Sequence, residues 1–147
     1  ILIPAILMQA VPGSSDLKVI YSDIPALRAE QERTGWADAV ITGDTIYLSG
    51  VIAAKKPGET DLGPAYERAF DRLSQTLKRS GSNWANVVEI RSYHTDVVAQ
   101  IDAMAAVLKR YRTKPHPAWT AVGTNGLLNP HGITEIALVA KLMKEEP

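Results

Sequence analysis

The sequence predicts an α+β domain: one mixed β-sheet with two long helices on one face. Three observations carry this. Residues 62–80 place Tyr66, Ala69, Phe70, Leu73 and Leu77 at helical spacing with charges opposite, and residues 97–111 repeat the pattern with Ile101, Met104, Ala105 and Leu108. Between and around these stretches lie short runs rich in Val, Ile, Thr and Trp, bounded by Gly, Pro or Asn, as strands are. At 147 residues, with 46% hydrophobic and 22% charged side chains, the chain can bury a single core and not two.

The elements follow in order. Residues 1–10 (ILIPAILMQA) are apolar but far too short to cross a bilayer as a helix. They fit the tail of a secretory signal segment, with cleavage near Ala10, or an extension that packs on a neighbour. Residues 1–16 are therefore set apart from a single domain spanning 17–147. Export follows from the first alternative, and a cytoplasmic location is the default under the second. Residues 17–21 form a first strand, and residues 25–33 a short helix opened by Pro25 and ended by Gly35-Trp36. Residues 37–41 and 45–49 alternate around Thr42-Gly43-Asp44 as a hairpin, closed by Ser49-Gly50. The first long helix takes Pro64 in its opening turn and Gly81 at its end. Residues 87–95 form a strand with apolar side chains at Val88 and Ile90, and Asp96 caps the second long helix. Thr113-Lys114-Pro115 breaks that helix.

The final stretch, residues 116–141, contains two strands, 118–123 and 133–142, joined by a loop of turn dipeptides: Asn125-Gly126, Asn129-Pro130 and His131-Gly132. Glu135 is a carboxylate inside an apolar strand. It lies either on a solvated face, as period-2 alternation often dictates, or aimed at a site.

Composition narrows the function classes. Sixteen basic and sixteen acidic side chains give no net charge, without the basic excess typical of nucleic-acid binders. The chain has no cysteine, so thiolate chemistry and disulfides are not available to it. His94, His116 and His131 lack metal-ligand spacing, so no metal is expected, and nothing in the pattern requires a cofactor.

Pro117-Ala118-x-Thr120, followed by a turn-rich loop and then Glu135-Ile136-x-x-x-Ala140, resembles the C-terminal signature of the Rid (YjgF-like) reactive-intermediate deaminases. The ordered set of Ser49-Gly50, Val88 to Asp96, and this signature extends the resemblance over residues 17–142. It implies a chorismate-mutase-like sandwich that trimerises through the uncovered sheet face, with small-molecule pockets at the subunit interfaces. It also implies hydrolysis of small imines or enamines to a carbonyl compound and ammonia, with Glu135 holding and activating water. Trp36, Ser49, Gly50, Trp119 and Thr120 fall at positions that line the family's pocket. The chain departs from the family pattern at Trp119, where an arginine usually pairs with the substrate carboxylate. An indole has one donor and no charge and cannot replace it.

Two readings follow. One is a deaminase with an aromatic pocket, acting on a substrate without an essential carboxylate or with one bound elsewhere. The other is a non-catalytic trimeric binder of a small apolar or aromatic ligand. A ribonuclease is a third class, disfavoured by the charge balance. On the resemblance, Trp119→Arg is expected to raise turnover of carboxylate-bearing imines. A last alternative is that Trp119 fills the old arginine site with core.

Overall fold

Six strands and three helices succeed one another as β1 (Leu17–Ile20), α1 (Pro25–Thr34), β2 (Ala39–Thr42), β3 (Thr45–Ala54), α2 (Gly63–Arg79), β4 (Val87–His94), α3 (Val97–Leu108), β5 (Ala118–Gly123) and β6 (Gly132–Lys141). This computed structural model describes residues 16–146. The apolar segment 1–10 and its linker to residue 15 lie outside the described residues. The strands form one mixed sheet in the order β1-β2-β3-β6-β4-β5, in which the β4–β5 pair is parallel and the other pairs are antiparallel.

Burial alternates along β6 from Thr134 onward. Thr134, Ile136, Leu138 and Ala140 are buried on one face, and Glu135, Ala137 and Val139 lie on the other. The buried face packs against the helices: α2 lies on β3, and α3 on β4 and β5. The stripe Tyr66, Ala69, Phe70, Leu73 and Leu77 of α2 is wholly inside, as its periodicity predicts. Each such large side chain contributes roughly 1.5–3 kcal/mol by leaving water. Phe70, Trp84 and Tyr111 then cluster at the end of this core, with ring centroids 5.2–5.7 Å apart. Gly81, at a φ of 81°, lets the chain turn immediately beyond α2.

Two sequence patterns are corrected by the structure. In α3 the inward residues are Gln100, Met104, Val107 and Leu108, so the stripe is rotated away from Ile101 and Ala105. The rotation lets Gln100 reach Thr95 Oγ1 at 2.9 Å, a polar requirement that apolar periodicity does not report. In β4, Val88 is exposed because a register shift opposite β6 puts Val87 inward in its place.

β3 is longer than the hairpin pattern implies, and that extra length creates the site. β2 pairs only with Thr45–Leu48. Beyond Leu48, β3 keeps β6 on one side but loses its β2 neighbour, so residues 49–54 border the space between α1 and α2.

Candidate functional site: a groove at the free edge of β3

Where β2 stops, the chain anchors its last turn on β3. Ser49 donates its backbone N–H to Asp38 O at 2.9 Å and its hydroxyl to Ala37 O at 2.6 Å. A bulge follows, with Leu48 opposite Leu138 but Val51 opposite Ile136, so Ser49 and Gly50 share the register space of one β6 residue. The bulge opens a groove of about 500 Å3 lined by Leu27 of α1, Trp36, Ser49–Ile52, Arg72 of α2, Leu128 and Asn129 of the β5–β6 loop, and Glu135. A volume of this size suits a small organic molecule.

Glu135 and Gly50 are matched. A Cβ added at Gly50 would lie 2.3 Å from Glu135 Oε1 and 2.8 Å from its Cδ, so the carboxylate lies directly over the glycine. Only hydrogen at that position leaves the space. Glu135 is half-buried and makes no hydrogen bond or ion pair with any described residue. Its oxygens are thus open to water or a ligand. It also borders a depression of about 300 Å3 on the uncovered sheet face, beside Tyr93, Thr124 and Leu127.

Of the residues singled out from sequence, the structure brings Trp36, Ser49, Gly50 and Glu135 to this groove. Trp119 stands elsewhere in the protomer. It is in register with Ile90, on the helix-covered side, where its indole packs at the margin of the core and donates Nε1–H to Ser92 Oγ at 2.8 Å. Thr120 is exposed on the opposite face, in register with Arg91.

Within the single chain, Trp119 joins a buried polar chain. Ser92 Oγ meets His94 Nε2 at 2.8 Å, His94 Nδ1 meets Thr134 Oγ1 at 3.0 Å, and Thr134 Oγ1 meets the Tyr66 hydroxyl at 2.7 Å. Burial lowers the His94 pKa from its ordinary 6.5, partly offset by a hydrogen bond that the ring donates to Gln100, and burial raises that of Tyr66. Burial thus favours the neutral form of both groups.

Arg72 is the groove residue that sequence reasoning missed. Its signal was its place on the flank of the α2 apolar stripe, on the same side as Arg68 and Arg79. Arg68 is tied to Glu59 at 2.6 Å and to Ala54 O at 2.8 Å, closing the far end of β3. That pair and the Lys56 backbone bring Glu59 down to a pKa of about 2. Among the described residues, no group of three or more His, Cys, Asp or Glu is placed to hold a metal ion.

With this geometry in place, comparison with known proteins identifies the family. The family model described as endoribonuclease L-PSP matches residues 27–142. The RutC family protein YjgH of Escherichia coli (strain K12) is 32% identical over 95 residues, covering 63% of this chain and 72% of that protein. A solved structure of protein YjgH superposes with a TM-score of 0.70 at 28% identity, covering 86% of this chain and 96% of that one. A YjgF-family protein of Mycobacterium tuberculosis shares the fold at a TM-score of 0.72 and 21% identity, over 86% of this chain and 99% of its own. From the extent of the model match and the identity to YjgH, the chain belongs to the Rid/YjgF family, whose model bears the endoribonuclease L-PSP description.

Proposed function

We propose that this protein is an imine/enamine deaminase that hydrolyses a small imine in the groove at the β3 bulge. The observation that carries the reading is Glu135: a carboxylate without a protein partner among the described residues, held over Gly50 in a cleft of substrate size. In the reaction, Glu135 accepts a proton from water as the water oxygen adds to the C=N carbon. The proton passes to nitrogen, and the carbinolamine collapses to a carbonyl compound and ammonia. A positioned carboxylate suits both transfers and contributes about 10²–10⁴-fold in such roles. Trp36, Leu27 and Leu128 supply apolar walls that hold the substrate and exclude water.

The ribonuclease activity in the family description finds less support in this chain. Sixteen basic side chains are balanced by sixteen acidic ones, and the groove presents one arginine rather than a basic track. Assembly as a homotrimer is part of the proposal. Tyr47, Tyr93 and Val122 stand at least 39% exposed on the sheet face opposite the helices, and Leu128 at the groove rim is 95% exposed. Apolar surface of that kind favours a subunit neighbour. Light scattering should return about three times 16.0 kDa, whereas a monomer at micromolar concentration would remove the interface from the proposal.

The activity is tested by generating imines in situ with an amino-acid oxidase or a dehydratase and following carbonyl release. Glu135→Gln should lower kcat by about a hundredfold or more while the melting temperature stays within a few degrees. Equal rates for the wild type, Glu135→Gln and the uncatalysed background would leave the non-catalytic binder as the reading. Quenching of Trp36 fluorescence by small aromatic ligands would then be its measure.

A further inference from the structure

We infer that Arg72 is the anchor for a carboxylate on the substrate, supplying from α2 the cation that the chain lacks at position 119. The inference rests on the deaminase reading for the identity of the substrate, and on geometry for the anchor itself.

Arg68, Arg72 and Arg79 fall within about 40° of one another around α2 at 3.6 residues per turn, so they form one row along the β3 edge. The two outer members are committed to the protein. Arg68 bridges Glu59 and Ala54 O, and Arg79 donates to Asp38 Oδ2 at 2.6 Å and to Tyr21 O at 2.6 Å. The middle member is not. Arg72 makes no hydrogen bond to a described residue, and its one ion-pair contact is a long 3.9 Å from Nη2 to Asp38 Oδ1.

Asp38 does not need it. That carboxylate is almost wholly buried and already accepts from Arg79 and, at Oδ1, from Gln31 Nε2 at 2.8 Å. Gln31 is in turn fixed by accepting from Ser22 N–H at 2.9 Å. Arg72 thus faces a groove with its planar donor set unspent, and that donor set matches a carboxylate in bidentate geometry.

Arg72 and Glu135 line the same groove, together with Gly50 and Val51. An α-imino acid carries both groups that these two residues would take. Its carboxylate would sit on Arg72 and its C=N carbon toward the water held at Glu135. Trp119, bonded to Ser92 on the helix-covered side, does not line this groove. The predicted substrates are therefore imines of amino acids with an apolar side chain, which Trp36 and Leu27 would contact.

The test compares phenylpyruvate with phenylacetone, which differ by a carboxylate against a methyl group. Both are titrated into the whole chain and followed by the Gly50 amide and Trp36 indole signals in ¹H–¹⁵N spectra. Phenylpyruvate should perturb both signals in the wild type, and Arg72→Gln should weaken it by about tenfold or more, the loss expected for a charge-assisted pair. Arg72→Lys should fall between the two, and phenylacetone should bind all three proteins within twofold. An unmoved Trp119 indole signal reports that each variant is folded. Phenylpyruvate affinity that is independent of Arg72, or an absence of perturbation at Gly50 and Trp36 in the wild type, overturns the inference.

Turnover of imino acids, measured in parallel, separates this inference from the one before it. Hydrolysis that persists with unchanged KM in Arg72→Gln removes the anchor and keeps the deaminase. Arg72-dependent carboxylate binding without hydrolysis keeps the anchor and removes the deaminase.

Discussion

Two polar regions adjoin β6, one on its helix-covered face and one at the β3 bulge, and they are built on opposite terms. On the helix side, Trp119, Ser92, His94, Thr134 and Tyr66 form a continuous chain in which each side chain finds a partner at 3.0 Å or less. At the β3 bulge, Glu135 and Arg72 have hydrogen-bonding capacity and no hydrogen bond to a described residue. The two regions are adjacent in sequence, since Thr134 and Glu135 are neighbours, and the period-2 pleat alone sends them to different faces. Spent capacity stabilises and specifies a fold, because an unpaired buried group is costly. Unspent capacity in a cleft is available to a ligand. On the proposed reading the groove is the functional region and the His94 chain is structural.

Substitutions at four positions sharpen or break this division. The largest effect is expected from Gly50→Ala. Its methyl group would meet the end of the Glu135 side chain at 2.3 Å, and the flexible carboxylate would yield before the backbone did. Turnover should fall on the order of a hundredfold with little loss in melting temperature, as in Glu135→Gln. Full activity in Gly50→Ala would show that the position of Glu135 over this glycine is unimportant to the chemistry.

Thr134→Val is next and should act on stability alone. It leaves the Tyr66 hydroxyl and His94 Nδ1 without their shared partner, at a cost of about 1–3 kcal/mol. For a domain of this size that lowers the melting temperature by several degrees.

The same chain sets a pH dependence. The folded state lowers the His94 pKa below its ordinary 6.5, so the unfolded chain binds the proton more readily. Stability is therefore fully present above about 6.5 and declines as pH falls from there towards the folded value. Melting curves between neutral pH and pH of about 5 should show this slope in the wild type, and it should shrink in His94→Gln. An unchanged slope would place the acid sensitivity elsewhere.

The smallest effect is expected at Trp119. Trp119→Phe removes one hydrogen bond to Ser92 and should cost about 1 kcal/mol without changing turnover. The family resemblance led to the expectation that Trp119→Arg would improve carboxylate-bearing substrates. With the indole packed at the core margin, the guanidinium is instead expected to lower the melting temperature and leave kcat/KM unchanged. A gain in kcat/KM for Trp119→Arg would move position 119 into the site and collapse the division between the two regions.

Much of the fold was legible in the residue order. The α2 stripe, Asp96 accepting from Ala99 N–H as an N-cap, and strand β5 over residues 118–123 are local patterns, and local patterns survive folding when propensity and burial agree. Gly50 and Glu135 were legible too, through their place in a family signature. Three features were not. The bulge after Leu48 depends on where β2 ends, the inward turn of Gln100 depends on a partner across the helix–sheet interface, and the face of Trp119 depends on parallel pairing with Ile90. Each is a relation between segments far apart in the chain, to which periodicity within one segment is blind. By itself the sequence determined which residues could carry charge, water or an aromatic wall. Tertiary structure alone decided that Arg68 and Arg79 would be consumed by the protein and Arg72 left open to the groove. The reason is that the carboxylates and carbonyls that satisfy an arginine come from other segments, and only folding puts them within reach.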